Sequence, residues 1–178
     1  MSLHLLHDIS HGDDIPNKVT VVVEINKGSK NKYELDKKTG LIKLDRVMKT
    51  SQDYPFDYGF VPQTHWHDGD PLDVVIITTY PLIPNMLIDV RPVAVMDMID
   101  NGESDAKIIA VPCEDPRFDH VNDLTDINPH FIKEATHFFE TYKSMQNKIV
   151  TIDSVRGKDS AFEVVREACR LYTSHMSK

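Results

Sequence analysis

The chain has 178 residues, 40 % hydrophobic and 27 % charged, with a formal net charge of −8. That size and apolar share suit one domain over residues 1–178 with a sizeable core, and the acidic balance argues against a nucleic-acid partner. No apolar run approaches the roughly 20 residues of a membrane span, residues 1–14 lack the apolar centre of a leader, and Cys113 and Cys169 form no CxxC pair, so a cytoplasmic protein with free thiols is expected.

In chain order, residues 18–26 read as a strand from their β-branched content. Residues 32–36 and 41–45 form a hairpin about Lys37-Lys38-Thr39-Gly40. A turn rich in Asp, Gly and Pro follows at 68–73. The next strand, 73–79, is too continuously apolar to be exposed. Residues 86–98 and 105–111 form an antiparallel pair around Asp100-Asn101-Gly102-Glu103. Several strands joined by short turns, with helices only late in the chain, point to an α+β, mainly β fold built on a small closed barrel. Asn128 caps a helix with Pro129 at its first position, and Phe131, Ile132, Ala135, Phe138, Phe139 and Tyr142 recur on one face. A second helix spans about 159–173, with Phe162, Val165, Ala168, Cys169 and Tyr172 toward the core. Both helices are expected to pack on the barrel.

The turn Asp68-Gly69-Asp70-Pro71-Leu72-Asp73 carries the chemistry. Like charges about 4 Å apart repel by roughly 4 kcal/mol at an effective dielectric of 20. Three carboxylates in one turn therefore call for cations, and all-oxygen donors favour hard ions such as Mg²⁺, Mn²⁺ or Ca²⁺. Asp, Gly and Pro are also ordinary turn formers, so the turn alone does not decide. An EF-hand is excluded: counted from Asp68, position 6 is Asp73 instead of Gly and position 12 is Thr79 instead of Glu. His65 and His67 raise a zinc reading, but an H-x-H-x-D-H motif needs Asp where Gly69 stands.

Strand side chains two apart share a face. Lys32 and Glu34 therefore point together, as do Asp105 and Lys107, and Glu24 sits among valines where an unused charge is costly. Each pair could be the wet side of a half-exposed strand. If these faces converge on the Asp68 turn, they gather the acids Glu24, Glu34, Asp68, Asp70, Asp73, Asp100 and Asp105 with the cations Lys32, Arg46, Lys107 and Lys143, three negative charges in excess. Several divalent metals would reverse that sign, and the Lys and Arg groups could then hold phosphate oxygens.

With these residues in view, the chain resembles the soluble family I inorganic pyrophosphatases in their bacterial form. The resemblance covers roughly residues 14–146. It rests on D-G-D-P-x-D at 68–73 together with Val-Val-Glu-Ile (22–25), Lys-Tyr-Glu-Leu-Asp (32–36), Leu-Asp-Arg (44–46), Tyr-Pro-Phe-Asp-Tyr-Gly-Phe (54–60), Asp-Ala-Lys (105–107) and His-Phe-Phe-Glu-Thr-Tyr-Lys (137–143). It implies a five-stranded OB-like closed barrel with flanking C-terminal helices, a cytoplasmic homohexamer, and hydrolysis of inorganic pyrophosphate to two phosphates by direct attack of a metal-activated water. Several Mg²⁺ ions per site are implied, with Mn²⁺ as a substitute.

Position by position, the resemblance makes Asp68, Asp73 and Asp105 ligands of the tighter metals. Asp100 and Glu24 match ligands of further metals, and Asp70 matches the general base. Lys32, Arg46, Tyr58, Lys107, Tyr142 and Lys143 match phosphate-binding groups, with Glu34 and Tyr54 in support. Phe56, Asp57 and Phe60 depart from the motif without touching these roles. The stretch after about 147 matches poorly and is expected only to cover the barrel.

A phosphohydrolase of broader substrate range would use the same residues, and two other classes compete with it. OB-like barrels also bind single-stranded nucleic acid, which the acidic charge and the lack of a basic groove oppose. A purely structural Ca²⁺ site would leave Lys32, Arg46 and Lys107 without a use.

Overall fold

The computed structural model describes residues 3–177. Its strands are β1 (Val19–Ile25), β2 (Asn31–Asp36), β3 (Leu41–Val47), β4 (Asp57–Phe60), β5 (Asp73–Ile76), β6 (Leu87–Asp100), β7 (Glu103–Ser104), β8 (Lys107–Pro112) and β9 (Val150–Gly157). Its α-helices are α1 (Pro129–Thr141) and α2 (Lys158–Met176). Strands β1, β4, β5, β8 and β6 pair in that order, and β6 returns to β1, so the sheet closes on itself. Every pairing in this ring is antiparallel except β5 with β8. Closure removes free strand edges, which an open five-stranded sheet would expose.

The continuous apolar runs of β5 and β8 follow from burial on both faces. Val74, Ile76, Ile108 and Ala110 pack with Ala161, Val164, Val165 and Ala168 of α2. The intervening Val75, Ile109 and Val111 join the cluster that holds Ala135, Phe138 and Phe139 of α1. The two helices thus seal opposite sides of the same strands. Helix α1 starts as its residues dictate: the Asn128 side chain accepts from the His130 N–H at 2.9 Å, and Pro129 needs no partner at the first position.

Several expectations change. The hairpin β2–β3 is not part of the ring but a separate two-stranded sheet. Its place is taken by β4, which sequence reading left unassigned. β4 is only four residues long and contains Asp57 and Gly59, both poor strand formers. Gly59 is needed because a Cβ there would come within 2.1 Å of the Val22 carbonyl oxygen on β1. Asp57 is fully buried as the acceptor for the Lys27 and Leu82 N–H groups, each at 2.9 Å, and for the Thr78 hydroxyl.

The strand expected at 73–79 stops at Ile76. Beyond 147, β9 adds to β6 along Ala94–Asp100 instead of merely covering the ring. On α2 the buried stripe is Ala161, Val164, Val165 and Ala168; Phe162 is only half-buried, under Lys158 and Arg166. Among the described residues no helix is long and apolar enough to cross a membrane.

Candidate active site

The parallel pairing of β5 with β8 sets the first two acids side by side. Both strands begin at the same end of the ring, with Asp73 opposite Lys107. Asp105 lies two residues before the start of β8's inward face, so its carboxylate meets Lys107 as the two-residue period requires. β6 runs antiparallel to β8 and ends at Asp100 beside them. β4 brings Tyr58, and the loop into β5 brings Asp68 and Asp70. In β1 an irregularity in pairing between Val23 and Ile25 lets Glu24 leave the strict alternation. The hairpin β2–β3 lies over the opening with Lys32 and Glu34, and the end of α1 contributes Phe139, Tyr142 and then Lys143.

Together these groups line one cleft of about 250 Å³. Every residue to which the resemblance assigns a role lines it except Arg46. Arg46 sits one step behind, directly across the hairpin from Lys32. Its Nε and Nη2 are buried with no hydrogen-bond partner among the described residues. Asp45 holds the remaining arm at 2.5 Å and stands 3.6 Å from Lys32.

The acids strain against one another. Burial, with Asp73 close by, pushes the Glu24 carboxyl up to about 8, although one oxygen accepts from the Leu35 N–H at 2.8 Å. Burial lifts Asp68 to about 7, and raises Asp73 despite the neighbouring ammonium. Lys107, 3 % exposed, lies 2.5 Å from Asp73 and also bonds Asp105. Burial works against its charge, yet Asp105 and Asp73 hold it well above the ordinary lysine range. Lys143 bonds Asp100, whose other oxygen, Oδ1, is buried without a partner among the described residues.

The cations show the converse. Burial, then Arg46 alongside, pulls Lys32 down to about 8 even though it pairs with Glu34. Burial keeps Tyr54, Tyr58 and Tyr142 protonated far above neutral pH, so Tyr58 and Tyr142 are uncharged donors at the cleft wall. The cleft therefore holds two raised carboxyls, Glu24 and Asp68, with no cation paired to them among the described residues, beside a Lys32–Arg46 pair whose guanidinium keeps two buried nitrogens without a partner. Its all-oxygen acids and the orphaned Asp100 Oδ1 suit hard divalent metals, and the orphaned Arg46 nitrogens suit phosphate oxygens. Among the described residues no three acids are already drawn into a metal cage.

The zinc reading is not supported by this arrangement. His65 stacks on His175 with ring centroids 4.6 Å apart, and His67 lies 3.0 Å from Glu167, so both face α2 instead of the acids. Lys37, Tyr33, Asn101 and Glu103 also line the cleft and were not singled out from the sequence. Their turns come together only once the ring has closed, which no local pattern signals.

A family model described as inorganic pyrophosphatase matches residues 21–173. The chain belongs to the inorganic pyrophosphatase family. A soluble inorganic pyrophosphatase of Zea mays is 46 % identical over 176 residues, covering 99 % of this chain and 82 % of the relative. Soluble inorganic pyrophosphatase 2 of Chlamydomonas reinhardtii is 44 % identical over 172 residues, covering 97 % of this chain and 90 % of that one. The inorganic pyrophosphatase structure from Thermus thermophilus superposes with a TM-score of 0.92 at 42 % identity, over 96 % of this chain and 99 % of that one. The matches span plant, algal and bacterial pyrophosphatases. The family match also runs past residue 147, through β9 and most of α2, further than sequence reading expected.

Proposed function

We propose that this chain hydrolyses inorganic pyrophosphate to two phosphates by direct attack of water, with Mg²⁺ as the working metal and Mn²⁺ as a substitute. The observation that carries this reading is the double charge mismatch of the cleft: carboxylates raised by burial face a buried Lys32–Arg46 pair with unpartnered guanidinium nitrogens. A metal–pyrophosphate complex answers both, because its cations meet the acids and its phosphates meet Lys, Arg and Tyr.

Asp68, Asp73 and Asp105 would hold the tighter metals, and Asp100 and Glu24 further ones. Bound divalent metal supplies Lewis acidity, lowering the pKa of water and offsetting phosphate charge. Asp70 takes the proton of the attacking water. Lys32, Arg46, Lys107 and Lys143 take up charge on the phosphate oxygens, and Tyr58 and Tyr142 donate hydrogen bonds without adding charge. Glu34 keeps Lys32 directed at the cleft through their ion pair, and Tyr54 packs beside Tyr58 with centroids 5.8 Å apart. No serine or cysteine nucleophile lines the cleft among the described residues, in keeping with attack by water itself.

The test is phosphate release from pyrophosphate with Mg²⁺ and with EDTA, beside ATP and a phosphomonoester. Rapid, Mg²⁺-dependent release from pyrophosphate alone is expected. No release from folded, metal-supplied protein would overturn the activity and favour a binding role. The working assembly is proposed to be a homohexamer acting in the cytoplasm, and sedimentation as a monomer at micromolar protein would overturn that state.

A further inference from the structure

Lys37 opens the tight turn between β2 and β3 and reaches across the mouth of the cleft. Its Nζ donates to the Gly69 carbonyl oxygen at 2.7 Å and pairs with Asp70 Oδ1. It thus grips two adjacent residues of the acidic turn from a different sheet. The Asp70 side chain is 55 % exposed and has no other hydrogen-bond or ion-pair partner among the described residues.

The turn that carries Lys37 is itself pinned. The Asp36 carboxylate accepts from the Lys38 N–H at 3.1 Å and from the Thr39 hydroxyl at 3.0 Å. From the N-terminal side, the Leu5 N–H donates to the Gly40 carbonyl at 3.1 Å, and His4 Nε2 lies 3.1 Å from the Lys37 carbonyl. Gly40, at φ +72°, lies so close to His4 that a Cβ would fall within 2.5 Å of its ring. The ammonium is therefore delivered from a fixed support. Because both partners are about half exposed, the ion pair adds little stability. What it supplies is orientation of a carboxylate that otherwise has several rotamers open to solvent.

We propose that Lys37 is a positioning residue for the hydrolytic reaction, holding Asp70 where it receives the proton of the attacking water. This rests on the assignment of Asp70 as the base. The experiment compares Lys37→Met, Lys37→Arg, Asp70→Asn and the double variant Lys37→Met/Asp70→Asn in the full chain, with Mg²⁺ and pyrophosphate. Lys37→Met is expected to lower kcat about tenfold with KM held within about twofold. Lys37→Arg, which keeps the charge, recovers most of that loss. Adding Lys37→Met to Asp70→Asn costs nothing more, because the group it positions is already gone.

Three results would overturn the proposal. One is an undiminished kcat in Lys37→Met. Another is a raised KM with kcat retained, which would make Lys37 a phosphate ligand. The third is a loss that multiplies with that of Asp70→Asn, which would separate the two residues. The base assignment fails separately, if Asp70→Asn alone retains normal turnover. Unchanged near-ultraviolet circular dichroism confirms that each variant is folded.

Discussion

Asp70→Asn is expected to lower kcat by about a thousandfold, within the range that a positioned general base contributes, and to leave the fold intact. The exchange keeps the shape of the side chain but removes its ability to accept a proton at neutral pH. Asp70 is suited to this separation of effects. Its side chain is exposed, and its structural bonds are made by its backbone: the N–H donates to Asp68 Oδ1 at 3.0 Å, and the carbonyl accepts from the Trp66 N–H at 2.7 Å. Both survive the substitution. The urea midpoint should stay within error of the parent, and KM for the metal–pyrophosphate complex should move little, since other groups are proposed to hold the phosphates. Near-normal turnover would remove Asp70 from the proton transfer and leave it as one more acid of the cluster.

The parts of the fold legible in the sequence were those governed by local rules. The Asn128–Pro129 start of α1 is a matter of backbone donors, and the two-sided apolar runs of β5 and β8 signal burial on both faces. Strand alternation already sets Asp105 and Lys107 on one face, and in the structure Asp105, just ahead of β8, bonds Lys107. What escaped depends on closure. β4 is recruited into the ring by its neighbours β1 and β5, and its Asp57 and Gly59 become assets only there, one as a buried acceptor and one as a point of close backbone approach. β9 is mostly exposed or half-buried along its length, so the stretch after 147 shows no strand of its own until β6 offers it a partner.

The same division holds for the cleft. Its acids were legible because an uncompensated charge in an apolar strand or crowded turn is costly wherever the chain goes. Arg46, gathered with the cations of the cleft, pairs directly across the hairpin from Lys32 without lining the cleft wall. In the sequence Lys37 is only a turn residue, since nothing near it announces the distant acidic turn it grips.

Lys107→Met is expected to have the largest effect on stability. Methionine keeps the length of the stem, so no large cavity opens, but Asp73 and Asp105 lose the cation between them. Breaking a buried pair by removing one partner costs about 3–5 kcal/mol, and here two carboxylates are left. The loss should appear as a lowered urea midpoint in EDTA. Its pH dependence has a definite sign. Burial already holds the Asp73 carboxyl above the usual range despite Lys107, and without the ammonium it rises further. The folded variant then keeps a proton that the unfolded chain releases near pH 4, so stability falls as pH rises through that window. The deficit should therefore be larger at pH 8 than at pH 5. Mg²⁺ should recover part of the stability, because a divalent ion can offset the same two carboxylates. It should not recover turnover, expected to fall by about 10²–10³, since the donor proposed for the phosphate oxygens is gone. A urea midpoint in EDTA equal to the parent's, at either pH, would mean that Asp73 and Asp105 do not depend on Lys107 for their charge.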